Sequence, residues 1–290
     1  MKKQIKTLAV RFLKAENQLK KTKILNQVET LLKDYNYKSY NRTKNDFGFS
    51  YFAGLNSSSK VVKGKIENYN TLILYLSPST QSGFDLCKAS CLGCELACLD
   101  GSGRSRLQNN LKIEAKTITI SRLIKSWIYV FRNDICSNLL EHEISKYSKK
   151  FKDRLAVRLN GTSDENFYDI INKFPKVQFY DYTKMTNRFK LDNYHLTFSY
   201  SENTKARIAH YKRALTRNIN LAFPVRVEDY EECLKLSNTY DMDKTDLRFL
   251  DKKGYGILKA KVTDNMQCGI DKQFILSIDE LKQVINSIEG

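Results

Sequence analysis

The chain has 290 residues, 41% of them hydrophobic, and 49 Lys and Arg against 32 Asp and Glu, for a formal net charge of +17. This is enough for one large domain or two modest ones, and no apolar run reaches the length of a membrane span. The start MKKQIKTLAVRFLKAENQ is basic but has no long apolar core, so it does not read as a secretory signal. Seven cysteines, an odd number, argue against a disulfide framework and for a reducing, cytoplasmic setting.

Residues 1–66 hold 15 Lys and Arg against 4 Asp and Glu, so +11 of the +17 lies there. Apolar residues recur at helical steps over 3–33, followed by an Asn-, Ser- and Tyr-rich stretch over 34–69. The expectation is a basic, mainly helical N-terminal extension (1–66) before an α/β domain (67–290). Such a segment attracts polyanions, nucleic acid first, or it is a solvated lysine face. Its aromatics, among them Phe12, Tyr40, Phe49 and Tyr51, could stack on bases or pack against the main domain.

From residue 70 the rhythm changes. Runs with strand-like length and composition lie at 71–78, 155–161, 177–183, 194–201, 219–225 and 255–262. Helical stretches over 108–150, 164–174, 204–217 and 227–238 separate several of them. A last helix over 277–288 has Ser277 and Glu280 in place for a capping box. Alternation of strand and helix implies a parallel sheet, either open and doubly wound or closed into a partial barrel. Ligands bind at the C-terminal strand ends in such folds, and those ends are polar here.

Just after the first of these strands comes CKASCLGCELAC, with Cys87, Cys91, Cys94 and Cys98 inside twelve residues. On one continuous helix they would fall on a single stripe, as small apolar packing residues would. Reduced thiols this crowded point instead to metal. Structural zinc joins two cysteine pairs across a longer loop, whereas an iron–sulfur cluster suits a compact run because its irons are spread over a cube. A [4Fe–4S] cluster is therefore expected, with zinc the less favoured metal.

The spacing Cys87-x3-Cys91-x2-Cys94 resembles that of radical S-adenosylmethionine enzymes, as does its place after the first strand of a partial (β/α)6 TIM-like barrel. That resemblance implies three ligating thiolates and one iron open to S-adenosylmethionine. It departs at Gly93, where a large residue is usual, and in lacking Gly-Gly-Glu after the second strand. A fourth ligand from Cys98 would close the cluster. Separately, LYLSPSTQSGFDLC, RLNGTSD, VQFYDYTK, NYHLTFSYSEN, DLRFLD and GILKAK, in that order, resemble the phage family called Gene product 88. That resemblance implies a phage protein acting in the host bacterial cytoplasm. Its cysteine pattern maps onto Cys87, Cys94 and Cys98, which leaves the choice between Cys91 and Cys98 open.

Other polar groups complete a candidate site. Arg158 and Asn160 alternate on one strand and share a face, and Asp181 is a candidate partner for Arg158 or a general acid or base. With Lys259 these are the candidate catalytic residues. Asn160, Ser199, Glu202 and Arg104 (in the glycine-rich turn GSGRSR) are candidate cofactor-binding residues. Asp164 could cap the next helix, His195 reads as a core residue, and the acid-rich DMDKTDLRFLD over 241–251 reads as a solvated turn. The function expected is that of a radical S-adenosylmethionine-like enzyme on a nucleic acid or nucleotide. The alternative is a non-enzymatic cluster or zinc protein that binds nucleic acid or a host protein.

Overall fold

All six strand-like runs fold as strands, because β-branched and aromatic residues in each are bounded by polar turns. A computed structural model of the chain describes residues 1–56, 68–98, 107–108, 110–202, 205–261 and 266–290. The six are β2 (Asn70–Ile73), β3 (Leu155–Arg158), β4 (Gln178–Thr183), β5 (Tyr194–Ser199), β6 (Asn220–Val225) and β8 (Tyr255–Lys259). They lie side by side in that order and all run parallel. Two shorter strands escape the sequence pattern. β1 (Gly54–Leu55) pairs antiparallel with β2, and β7 (Thr239–Asp241) pairs parallel with β8 on its far side. Among the described residues the result is a mixed α/β fold with one sheet of eight strands, mostly parallel.

Most connections are helical. The stretch expected as one helix over 108–150 is two, α5 (Thr117–Phe131) and α6 (Asn133–Phe151), broken at Arg132. There the guanidinium donates to the carbonyls of Leu32 at 2.8 Å and Tyr35 at 2.5 Å. Shorter than expected are α7 (Tyr168–Lys173) and α9 (Tyr230–Cys233), whereas α8 (Lys205–Thr216) and α11 (Ile278–Glu289) match closely. Ser277 and Glu280 do form the capping box of α11. No described helix is long and apolar enough to cross a membrane.

The sheet has two unlike faces. Leu155, Val157, Leu196, Phe198, Leu221, Phe223 and Ile257 face the main core, which they share with α5, α6, α8 and α11. The other face carries Ala156, Arg158, Tyr180 and Tyr182, and the segment 242–251 lies over part of it. There Leu247 packs on Ala156 and Tyr180, and Arg248 is fully buried. That segment is therefore no solvated turn: Asp246, Leu247 and Arg248 are all buried.

The periodic stretch over 3–33 is two helices, α1 (Lys2–Lys14) and α2 (Gln18–Lys33), because Asn17 accepts from the Lys20 N–H at 2.9 Å and starts a second one. α3 (Tyr40–Phe47) follows. Ile5, Ala9, Phe12, Val28 and Leu32 enter the same core as the sheet, and Phe12 meets Trp127 edge-on at 5.5 Å. Burying each of the larger of these side chains, Ile5, Phe12, Val28 and Leu32, contributes about 1.5–3 kcal/mol. Of the aromatics in this segment, Phe12, Tyr35, Phe47, Phe49 and Phe52 are buried, and Tyr51 alone is a strongly exposed one (48%). The boundary expected near residue 66 falls outside the described residues.

Candidate metal centre

β2 delivers the chain to the C-terminal edge of the sheet, and the cysteine stretch is folded there. Only Leu92–Leu96 is helical (α4), so the four cysteines do not form one helical stripe. Cys87 sits in a turn, its N–H donating to Asp85 Oδ1 at 2.9 Å and its carbonyl accepting from the Ser90 N–H at 2.7 Å. Cys91 is the residue before α4, Cys94 lies within it, and Cys98 lies past its end. The break brings sulfurs together that a straight helix would line up along its axis.

The thiols interact with one another. Cys91 and Cys94 share a hydrogen bond between their side chains, and Cys94 is close enough to Cys87 and Cys98 for their charges to repel. The bond from Cys91 favours the Cys94 thiolate and so lowers its pKa; the same bond raises that of Cys91. Burial pushes Cys87 up to about 12, opposed by the Ser79 N–H, which donates to its sulfur at 3.3 Å. Burial pushes Cys98 up to about 11, with the Arg122 guanidinium acting against it. Metal binding would therefore release protons from several of these thiols. Among the described residues no three His, Cys, Asp or Glu side chains converge as ligands of a single ion. A multi-iron cluster needs its thiolates further apart than one ion does.

Neighbouring elements wall the stretch in. The Gly93 N–H donates to Glu202 Oε1 at 2.7 Å, just past β5. Cys87 Sγ reaches the Thr162 carbonyl at 3.7 Å, past β3. α4 packs against α10 (Met266–Asp271), where Ala97, Ala260 and Ile275 form a small apolar cluster. Arg207 Nη2 donates to the Ala89 carbonyl at 3.3 Å. Two cations border the thiols, the buried Lys184 on the side of Cys91 and Cys94 and the half-buried Arg122 on the side of Cys98.

The Gene product 88 family matches residues 49–275, more than three quarters of the chain, including every strand and all four cysteines. The chain belongs to the Gene product 88 family. No curated protein and no solved structure matches it. The comparisons lend no support to the resemblance to radical S-adenosylmethionine enzymes.

In this Gene product 88 chain the remaining candidate residues divide into two groups. Ser199 and Glu202 lie at the cysteine stretch: Ser199 Oγ accepts from Lys184 Nζ at 3.2 Å, and Glu202 binds Gly93. The others are held elsewhere. The register pairs Val157 with Phe179, so Arg158 stands beside Tyr180 while Asp181 points to the opposite face. Arg158 does not pair with Asp181. Its Nη1 meets Asp246 Oδ2 at 3.3 Å, and its guanidinium lies 4.9 Å over the Tyr182 ring. Asn160, past the end of β3, turns away from Arg158 and donates through Nδ2 to the Glu165 carbonyl at 3.0 Å and Asp181 Oδ2 at 3.2 Å. Asp181 also accepts from the Asn160 N–H at 2.8 Å and Tyr194 OH at 3.1 Å, and burial raises its pKa to about 6. Lys259 Nζ lies 4.3 Å over the Tyr230 ring, and Arg104 falls outside the described residues.

Asp164 caps no helix. Its Oδ2 accepts from Thr183 Oγ1 at 3.1 Å and the Lys184 N–H at 2.8 Å, and Arg188 pairs with its Oδ1 at 3.1 Å. His195 is largely buried, and burial lowers its pKa to about 4, so it is neutral. Arg122 and Phe274 border the cysteines without any sequence signal, since each sits in an ordinary helical or loop context far along the chain.

Proposed function

We propose that this Gene product 88 chain is an iron–sulfur protein whose [4Fe–4S] cluster is held by the 87–98 cysteines, and that it works as a radical S-adenosylmethionine-like enzyme. The observation that carries the reading is the gathering of four interacting thiols at the C-terminal ends of successive parallel strands. Strands β2 to β6 neighbouring one another in chain order support a partial (β/α)6 barrel around that site. A bound cluster supplies one-electron chemistry. The chain's own residues provide the thiolates, exclude water through Phe274, Ala97 and Ile275, and set the local charge through Lys184 and Arg122. As a phage protein with reduced thiols it acts in the host cytoplasm, and the basic residues 1–66 favour a nucleic acid or nucleotide substrate.

The test is anaerobic purification with iron, sulfide and zinc analysis, then EPR of the reduced protein with and without S-adenosylmethionine. The reading expects iron and sulfide in equal amounts, a spectrum that shifts with S-adenosylmethionine, and formation of 5′-deoxyadenosine. Zinc without iron would overturn the cluster, and a cluster spectrum indifferent to S-adenosylmethionine would overturn the enzyme.

The closeness of Cys98 to Cys94 favours a second reading, a cluster closed by four thiolates in a protein that binds nucleic acid or a host protein. It expects binding to RNA or DNA that weakens steeply with salt and is lost when the lysines of α1 are neutralised.

A further inference from the structure

Phe189, in the connection from β4 to β5, is displayed at the surface and yet held fast. It is 52% exposed, and its ring stacks on that of Tyr168 with centres 4.4 Å and planes 8° apart. Two hydrogen bonds lock the pair. The Phe189 N–H donates to Tyr168 OH at 2.8 Å, and that hydroxyl donates to the Phe189 carbonyl at 2.8 Å. Tyr168 is braced in turn by the edge of Tyr194, with ring centres 5.7 Å apart. An aromatic ring that is fixed but half open is a platform on which an unpaired base can stack.

Cations stand beside the platform. The next residue, Lys190, donates through Nζ to the Asn218 carbonyl at 3.0 Å, which ties this connection to the C-terminal end of α8. Residues 203–227 carry six bases and no acid. Lys212 and Arg213 on α8, and Arg217 just past it, are exposed, and among the described residues none of them is in an ion pair. Lys14, Lys20 and Lys33 of α1 and α2, by contrast, are each paired with a glutamate. At the other end of α8, Arg207 donates to the carbonyls of Ala89 and Lys184, at 3.3 Å each, beside the cysteine stretch. With 12 residues, α8 runs from that stretch toward Phe189, a length of about 18 Å. We propose that Phe189 and the outer face of α8 bind single-stranded nucleic acid. One unpaired base stacks on Phe189, phosphates lie on Lys212, Arg213 and Arg217, and the track leads the strand to the cysteines. This rests on the nucleic-acid part of the reading above and not on the cluster, and it moves the main contact from residues 1–66 to α8. A duplex fits poorly, because its bases are already stacked and paired.

The experiment measures the affinity of the whole chain, purified anaerobically, for a short fluorescein-labelled oligothymidylate over a range of salt, by fluorescence anisotropy. A duplex of the same length is the control. F189L keeps an apolar side chain but no aromatic face, and is expected to bind about fivefold to a hundredfold more weakly at an unchanged salt slope. F189W, which keeps the face, is expected to bind as wild type does. K212Q/R213Q/R217Q is expected to lower the slope of log affinity against log salt by about 2, at about 0.7 per phosphate contact. Wild-type affinity in F189L, an unchanged slope in the triple variant, or a duplex bound as tightly as the single strand would each overturn the proposal. The triple variant changes exposed side chains alone, so it decides the matter should F189L fail to fold. Binding lost in K2Q/K3Q/K6Q but intact in F189L and the triple variant would place the strand on α1, refuting the proposal and leaving nucleic-acid binding standing. Wild-type protein that binds no oligonucleotide would refute both, and the iron and sulfide content of the same sample reports on the cluster separately.

Discussion

A Cβ on Gly93 would lie 2.5 Å from the Cβ of Phe274 and 3.1 Å from that of Lys272. The cysteine helix thus docks on the 272–276 segment with no room for a side chain at this position. Since the obstructing atoms are next to the backbone, they cannot swing aside. Gly93→Ala is expected to cost about 1–3 kcal/mol and to loosen the cysteine stretch. A lower melting temperature together with a reduced iron content in anaerobically purified protein would show it. Wild-type values of both would mean that the two segments separate freely.

The two family patterns disagree over Cys91 and Cys98 but share Cys87 and Cys94. Replacing either shared cysteine with Ala should therefore abolish cluster binding, as read by iron and sulfide analysis. Under the enzyme reading, C98A keeps the cluster and its EPR response to S-adenosylmethionine, whereas C91A loses both. The opposite pattern for the last two variants would assign the ligands as Cys87, Cys94 and Cys98.

Asp181 binds its proton more tightly in the fold than in the unfolded chain, because burial raises its pKa from 3.8 to about 6. Its contribution to stability is complete below pH 3.8 and is lost as the pH rises through about 6. The loss is on the order of 3 kcal/mol. Urea unfolding between pH 4 and 7 should show this decline in wild type and a flatter profile in D181N. Equal slopes in the two proteins would remove Asp181 as the cause.

Glu143, 2% exposed, fastens the N-terminal segment to α6. Its carboxylate accepts from the N–H groups of Phe52 at 2.8 Å and Ala53 at 2.6 Å and from Tyr40 OH at 2.5 Å. E143A leaves those donors buried without an acceptor, at about 2–5 kcal/mol, and E143Q, which keeps one oxygen, should cost less. Denaturant melts of the two variants check the order. A loss confined to protease sensitivity of residues 1–56, with the global transition unmoved, would show instead that the segment unfolds alone.

The parts of the fold that could be read from sequence are those encoded locally. The six longer strands announce themselves by composition, and the Ser277 and Glu280 cap by spacing. The cysteine stretch marks its own place, since it comes after the loop that leaves the first of these strands. The strands β1 and β7, at two and three residues, are too short for any alternation to register. Pairing across the sheet was beyond local reading as well. Alternation within β3 and within β4 does not say which residues stand abreast, and the register that puts Arg158 beside Tyr180 sends Asp181 to the other face. The actual partner of Arg158, Asp246, is 88 residues away, in a stretch whose acids looked like those of a solvated turn.

The two short strands have one more effect. A long parallel strand left at the rim of a sheet offers a row of unpaired N–H and carbonyl groups on which a second chain can build. Here β2, at one rim, is covered by two antiparallel residues, and β8, at the other, by three parallel ones. Among the described residues neither outermost strand is long enough to template another, so this mostly parallel sheet is guarded against pairing edge to edge with a second chain.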